Sequence, residues 1–590
     1  TACAVFAGFN NGSVTNCTAG RLRTKYCGHG GAVFVYKNYG IMDACVNTAD
    51  VEWIDKQREN CFGIVDMNYG IVKNCVNRGA IDNTGGRISG DVGGICDWNK
   101  GKILNCYNEA PIPSTGQAAG IVRDNKGYVA NCYNKGALTG TYVGGIAAGT
   151  GVAEGGDVII VNPSIGGWED TSGGSSDDSG SGSTEAEELV PVSLSQYGIY
   201  YCYNTGAVTA SDSCAGGIAA YAICSKGTIY GCYNTGDVEG GSHTGGIVGG
   251  VENALIRDCY NYSTNIKTTN VATSFQNNEP HAFAAPIAGC VSSYLGNAVV
   301  SACCYVGDID VEAYGYSMDL KGHKVTFTDN EAMTVKDFES GKAAWKLQNG
   351  INEDLKASGG KQLFVWKQII SGAEIERYPY LDLTEEETSR SVMQMTFHYT
   401  TGGKDLAGYG YTNYNHAVTE TQAPTVTGKN DTIHTFDWYE DKELTTLYDF
   451  THVLTTDKDV YAEAYDLYTL EFKLTEGSYA SASVDKKKVK ELITETGETV
   501  VFTVTPDTGC ILEGVSLEGK TLTPDEDGNY TISDISANLT VEITTKETEV
   551  TFTYKAGEHG TVKWVGDKTG SGELTETIKA VSGMPKGVLP

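Results

Sequence analysis

The chain has 590 residues, with 74 Asp and Glu against 43 Lys and Arg and a formal net charge of −31. That balance excludes nucleic acid as a partner, because phosphates need Lys and Arg, and argues equally against an anionic membrane surface. No apolar run is long enough to span a bilayer, and 74 glycines against 12 prolines fit turns closed by Gly.

One short stretch recurs. It is clearest at Asn131-Cys132-Tyr133-Asn134-Lys135-Gly136-Ala137-Leu138 and Gly231-Cys232-Tyr233-Asn234-Thr235-Gly236-Asp237-Val238, with an upstream Gly144-Gly145-Ile146 or Gly245-Gly246-Ile247. Its cysteine returns at Cys17, Cys45, Cys75, Cys106, Cys132, Cys202, Cys232, Cys259 and Cys304, mostly 26 to 31 residues apart. A period of that size means stacked units. Each unit holds three apolar runs of four to six residues between Gly and Asn, too short for helices and suited to strands. The expected fold is mainly β: a right-handed parallel β-helix with three strands per coil, the hand following from the crossover preference. Roughly ten coils at about 4.8 Å give a rod about 45–50 Å long. Corner glycines are expected to supply positive φ.

In chain order, residues 1 to 150 hold five coils, opening inside one at Thr1-Ala2-Cys3-Ala4-Val5-Phe6. Corner turns recur at Asn10-Asn11-Gly12, Asn38-Tyr39-Gly40, Asn68-Tyr69-Gly70, Asn99-Lys100-Gly101 and Asn125-Lys126-Gly127, where Asn tolerates left-handed backbone and caps its own turn. An acidic Gly/Ser-rich insertion, 151–195, reads as a loop leaving one corner. The repeat resumes at Tyr200, decays after Cys259 and ends near residue 330. Residues 331–385 read as a C-terminal cap over the open core. They carry a short amphipathic helix with Thr334 as N-cap and Gly350 beyond its end. Beyond residue 390 cysteine disappears except Cys510 and alternation suggests small β-rich modules at 391–467 and 468–548, with an incomplete one at 549–590. The chain closes at Gly587-Val588-Leu589-Pro590 inside that module, so targeting or anchoring segments are expected outside this sequence.

Seventeen of the 18 cysteines precede residue 305. At a fixed slot of every coil they are expected to be reduced, buried and packed among thiols and aliphatics. Metal is not expected: there is no Cys-x-x-Cys and no His partner in the repeat. Gly28-His29-Gly30 reads as a turn. Asp66, Asp91, Asp97 and Asp124 are candidates for paired carboxylates or Ca²⁺ ligands, though solvated corners are the plainer expectation. Tyr107, Tyr133, Tyr203, Tyr233 and Tyr260 follow the inward cysteine and should point outward. An exposed aromatic ladder there would meet sugar rings or a protein partner; lateral packing under neighbouring segments is the equal alternative.

The Gly-Gly-Ile … Asn-Cys-Tyr-Asn-x-Gly units resemble GLUG-type repeats of bacterial surface proteins and of some immunoglobulin A-cleaving metallopeptidases, over about half the chain. Ser340-Gly341-Lys342-Ala343-Ala344-Trp345-Lys346-Leu347-Gln348-Asn349-Gly350, with Trp366 and Tyr378-Pro379, resembles a segment that closes such solenoids. The 391–467 unit, with Asp437-Trp438-Tyr439, resembles a Listeria–Bacteroides (internalin B-type) repeat, a β-grasp-like stalk module. Gly557-Glu558-His559-Gly560-Thr561-Val562 resembles the opening of a divergent relative. The resemblance implies a Gram-positive, extracellular cell-surface protein with a solenoid head and a stalk, and no catalytic residue or cofactor. No His-Glu-x-x-His, Gly-x-Ser-x-Gly or P-loop is present. The expected function is an adhesin or structural spacer binding a host or microbial glycan or protein. A carbohydrate-active β-helix enzyme is the alternative, and an auxiliary part of a larger protease a third.

Overall fold

A computed structural model describes the chain apart from residues 21–30, 53–60, 85–89, 152–196, 274–279, 384–390, 555–561, 564–568, 580–590 and scattered shorter stretches. His29 and nearly all of the acidic insertion fall outside the described residues. Two units are formed: Thr1–Met393 with Tyr411–Asn415, and Gln394–Gly410 with His416–Pro590.

The first unit is a parallel β-solenoid. Three sheets of ten strands each run its length. Sheet 1 starts at Ala7–Asn10 and ends at Tyr314–Met318. Sheet 2 runs from Ser13–Thr15 to Val325–Thr328, and sheet 3 from Thr18–Ala19 to Glu331–Met333. These are the three strands per coil expected from the period. Two shorter parallel sheets complete the circuit of the middle coils, with strands such as Leu138–Gly140 and Tyr142–Gly144. The coil closed before the insertion stacks directly on the one after it: Tyr133 pairs with Tyr203 and Ala130 with Tyr200. The register of the rod is therefore unbroken from one side of the insertion to the other.

The interior is one continuous core. The isoleucines at the Gly-Gly-Ile slot, Ile64, Ile95, Ile121, Ile146, Ile218, Ile247 and Ile287, are wholly buried, as are Cys45, Cys75, Cys106, Cys132, Cys202, Cys232 and Cys259. Each isoleucine contributes about 1.5–3 kcal/mol by burial. The cysteines of the column are unpaired thiols, and burial first of all raises Cys106, Cys202 and Cys259 well above the ordinary thiol range. Two expectations about the column are corrected. Its last member is Cys303, with Sγ 3.3 Å from the Ser301 carbonyl; Cys304 pairs with Tyr260 and so stands in the outward slot. Nor are its neighbours only thiols and aliphatics. Cys132 Sγ lies 3.2 Å from the Ala130 carbonyl and receives the Cys106 N–H at 3.4 Å.

Asparagine has a different part from the one expected. Asn10, Asn38, Asn68, Asn99 and Asn125 do cap their turns, as when the Gly70 N–H donates to Asn68 Oδ1 at 3.2 Å. They are not left-handed, however, and their side chains point inward. The first four Nδ2 groups donate to the Oδ1 of the next coil, at 2.8 Å for Asn38 to Asn68 and 2.9 Å for Asn99 to Asn125, and Asn125 Nδ2 ends the ladder on the Thr150 hydroxyl at 3.1 Å. A second ladder runs through Asn47, Asn77, Asn108, Asn134, Asn204, Asn234 and Asn261 at 2.6–3.0 Å. Inside an apolar rod an unpaired amide costs about 1–3 kcal/mol, so stacking satisfies a group that no single coil could.

The left-handed residue is the one before the column cysteine. Asn16, Ala44, Asn74, Asn105, Asn131, Tyr201, Asp258 and Ala302 all have φ between 50° and 55°, and Asn is the residue that tolerates this most readily. The Gly-Gly pair is kept for close approach instead: a Cβ on Gly145 would overlap the Gly217 carbonyl and meet Asn204 Cγ at 2.6 Å.

The cap region holds α1 (Val335–Glu339) and α2 (Lys342–Ala357) rather than one helix. Thr334 is the N-cap, in a reciprocal box with Asp337. Gly341, at φ 91°, separates the two helices. Gly350 lies inside α2, not past its end.

After the cap in sequence, Lys404–Asn413, Val392–Thr401, Lys458–Ala462 and Trp438–Tyr439 form a four-stranded sheet in that order. A five-stranded and a four-stranded sheet follow, with Leu470, Phe502, Val541 and Ile543 buried among them. Glu549–Tyr554 then pairs antiparallel with Leu574–Lys579.

Candidate functional site

The outward slot of sheet 3 reads, coil by coil, Thr18, Val46, Val76, Tyr107, Tyr133, Tyr203, Tyr233, Tyr260 and Cys304. The five candidate tyrosines therefore form one ladder. Successive ring centroids are 4.6, 4.9, 4.8 and 4.9 Å apart, with interplanar angles of 3°, 14°, 5° and 3°. The spacing is the strand repeat itself.

The ladder divides in two. Tyr107, Tyr133 and Tyr203 are half-buried. Tyr233 and Tyr260 are 5% and 0% exposed, which removes them from solvent and corrects the outward-facing expectation for those two. The cap covers them. Trp366 lies 6.0 Å from Tyr233 at 52° and 5.5 Å from Tyr260 at 51°, and Phe338 lies 5.5 Å from Tyr260 at 55°. The Tyr260 hydroxyl donates to the Pro379 carbonyl. For these two rungs the structure shows the lateral-packing alternative.

Around the open rungs, Glu109 accepts from Tyr133 Oη at 3.4 Å and from Arg78 Nε at 2.9 Å, and Lys135 Nζ sits 4.7 Å from the Tyr133 ring centre. Burial, then Glu109, pushes the Tyr203 phenol up to about 12, so the ring keeps its donor proton at neutral pH.

A second aromatic group, not singled out from the sequence, receives α2. Tyr128, Tyr200 and Tyr230 on sheet 2, with Tyr201 at the left-handed turn that follows, pack in one cluster with Leu347, Ile351 and Leu355. The Tyr200-Tyr201-Cys202 and Tyr230-Gly231-Cys232 strings carried that signal. Arg257 clasps Asp354 of α2 through two bonds, 2.6 and 2.7 Å, and Tyr230 Oη donates to Asp354 at 3.0 Å. Beneath them Asp258 is wholly buried, and burial holds its carboxyl well above the usual carboxylate range. A Cβ on Gly350 would overlap Asp258 Oδ1, which explains a glycine inside α2.

Three of the four candidate aspartates are not solvated corners. Asp66, Asp97 and Asp91 are 3%, 6% and 9% exposed. Asp66, Asp97 and Arg123 occupy one slot of sheet 1 on successive coils, between the paired residues Val65–Cys96 and Met67–Trp98, then Cys96–Val122 and Trp98–Asp124. Arg123 Nε donates to Asp97, and its guanidinium reaches Asp91 at 4.0 Å. Burial, then Asp97, pushes Asp66 up to about 8; burial also raises Asp97, to about 6, against the pull of Arg123. Asp124 remains half-buried beside Lys126, at 3.4 Å. Among the described residues no group of three His, Cys, Asp or Glu side chains is placed to hold a metal ion, and no helix is long and apolar enough to cross a membrane.

Comparison with known proteins adds no relative. No family model, curated protein or solved structure matches the chain. The site therefore rests on its own geometry: a stacked tyrosine ladder, closed at one end by the cap and open over Tyr107, Tyr133 and Tyr203.

Proposed function

We propose that this is an extracellular, bacterial cell-surface binding protein in which the solenoid is the head and the β-rich modules after residue 391 act as stalk. The observation that carries the reading is the half-exposed part of the tyrosine ladder. It repeats one large aromatic group every coil, on a scaffold whose spacing is held by two buried asparagine ladders. Identical weak contacts in fixed register add along a face, and a face that is rigid beforehand loses little entropy on binding. The resemblance of the coils to GLUG-type repeats, and of 391–467 to Listeria–Bacteroides-type stalk modules, supports a Gram-positive surface location. The ligand class is a host or microbial surface glycan or protein.

A specific observation favours a second reading, a carbohydrate-active enzyme. Asp66 and Asp97 stand on adjacent coils with separated proton affinities beside Arg123, an arrangement suited to one carboxyl acting as acid and another as base. The two readings are separated by presenting the full chain with immobilised glycans and surface proteins and assaying the same glycans for released reducing ends. Saturable binding without release supports the binding protein. Release that is lost in Asp97→Asn, with binding otherwise unchanged, moves the protein to the enzyme class.

A further inference from the structure

We propose that the open rungs Tyr107, Tyr133 and Tyr203 are the docking seam for an extended segment of a partner protein that carries aromatic side chains next to proline. The inference rests on the ladder being the ligand-binding face, and it names the class of ligand.

The first argument comes from the rings themselves. A sugar stacks on an aromatic face. Here the faces lie against one another at 4.6–4.9 Å with interplanar angles of at most 14°. What the ladder offers outward is a row of ring edges and hydroxyls. Ring edges carry the positive part of the aromatic quadrupole and are met best by tilted or perpendicular rings.

The second argument is that the same ladder is already occupied one coil further on. Tyr233 and Tyr260 continue the open rungs without a break in register. Their edges are met by Trp366 and Phe338 at 51–55°. The Tyr260 hydroxyl is taken up by the carbonyl of Pro379. Tyr378 of the same Tyr-Pro-Tyr segment packs 4.9 Å from Tyr262 at 48°. The covering chain is extended: Trp366–Lys367 pairs antiparallel with Tyr380–Leu381. The cap thus displays the chemistry that fits this surface, namely tilted indole or phenyl rings and the backbone carbonyl of a proline, whose own nitrogen carries no N–H to satisfy. Because each rung repeats the last, the same chemistry fits Tyr107, Tyr133 and Tyr203. Lys135 and the Arg78–Glu109 pair flank the seam and would set which charges the partner tolerates.

The test uses the full chain and two synthetic peptides, one copying Leu363–Gln368 and one copying Arg377–Leu381. Versions with Trp366→Ala and Pro379→Ala serve as controls. The protein variant is Tyr107→Val with Tyr133→Val, because Val46 and Val76 fill the same slot on earlier coils and the rod accepts valine there. Circular dichroism and melting verify its fold. The expected result is saturable binding of a native-sequence peptide, weakened at least tenfold by the paired substitution and by the peptide controls. Equal binding to wild type and variant, or no saturable binding up to about 1 mM, an affinity of only about −4 kcal/mol, overturns the inference. If neither peptide binds but a glycan binds wild type and not the variant, the partner class is wrong and the ladder remains the ligand face. If no peptide and no ligand distinguishes the variant, both readings fall.

Discussion

Asn204→Ala should be among the most damaging single changes in the rod, although it touches neither the ladder nor the cap. Asn204 is fully buried. It accepts from Asn134 Nδ2 at 2.7 Å and donates to Asn234 Oδ1 and the Gly206 carbonyl, both at 2.8 Å. Alanine removes all three bonds. The consequences differ by partner. Asn134 keeps its bond to the Gly136 carbonyl at 2.8 Å but is left with one buried N–H unpaired. Asn234 Oδ1 still receives the Gly236 N–H at 3.2 Å and is partly compensated. The Gly206 carbonyl loses the Asn204 donor as well; one stranded donor alone costs about 1–3 kcal/mol, and the missing carboxamide leaves a void beside Gly145. The expected loss is about 2–4 kcal/mol, the range of large-to-small core changes. Guanidinium unfolding followed by far-UV circular dichroism measures it, with hydrogen exchange of the Tyr203–Asn204 strand reporting local opening if the rod does not unfold in one step. A surface change such as Lys135→Ala should stay within about 0.5 kcal/mol. If Asn204→Ala is equally mild, the ladder is incidental to stability and the account of the core is wrong.

Other consequences follow from the same geometry. Cys132→Ser should cost less than Asn204→Ala, because the Ala130 carbonyl and the Cys106 N–H give a hydroxyl partners in the thiol slot; melting that ranks them the other way refutes this. Gly350→Ala should destabilise docking of α2 even though alanine favours an isolated helix by about 1 kcal/mol over glycine, and limited proteolysis within 342–357 reads the effect; a more resistant variant contradicts the packing on Asp258. Stability should fall as pH rises from 3.8 toward about 8, because folded Asp66 holds a proton that the unfolded chain has released. The slope from this group is at most about 1.4 kcal/mol per pH unit, and Asp66→Asn should flatten the melting-temperature profile in that window; an unchanged profile shows that Asp66 is ionised in the fold.

The period made the three long sheets, the buried thiol column and the tyrosine ladder legible, because a side chain repeated once per coil must form a column whatever the details of the turns. What stayed hidden depends on contacts between coils or over long separations. Asn68 reads locally as a turn residue and Asn204 as one letter of the repeat; only stacking turns them into interior hydrogen-bonding ladders. Cys303 and Cys304 cannot be told apart without the left-handed Ala302 that sets the register. Which rungs the cap covers rests on a contact such as Tyr260 with Pro379, 119 residues apart. Asp66 and Asp97 look like surface corners until their neighbours are placed around them. The two shorter sheets escape notice because the period fixes the distance between equivalent positions on successive coils, not how many strands each coil holds.

The central claim is that the open tyrosine rungs bind the ligand. It is tested most directly by comparing the full chain with its Tyr107→Val/Tyr133→Val variant on one panel of surface glycans and proteins, at matched protein concentration and verified fold. The account expects ligand capture by wild type that falls at least tenfold in the variant, with melting within a few degrees of wild type. Capture that is unchanged in the variant would contradict it.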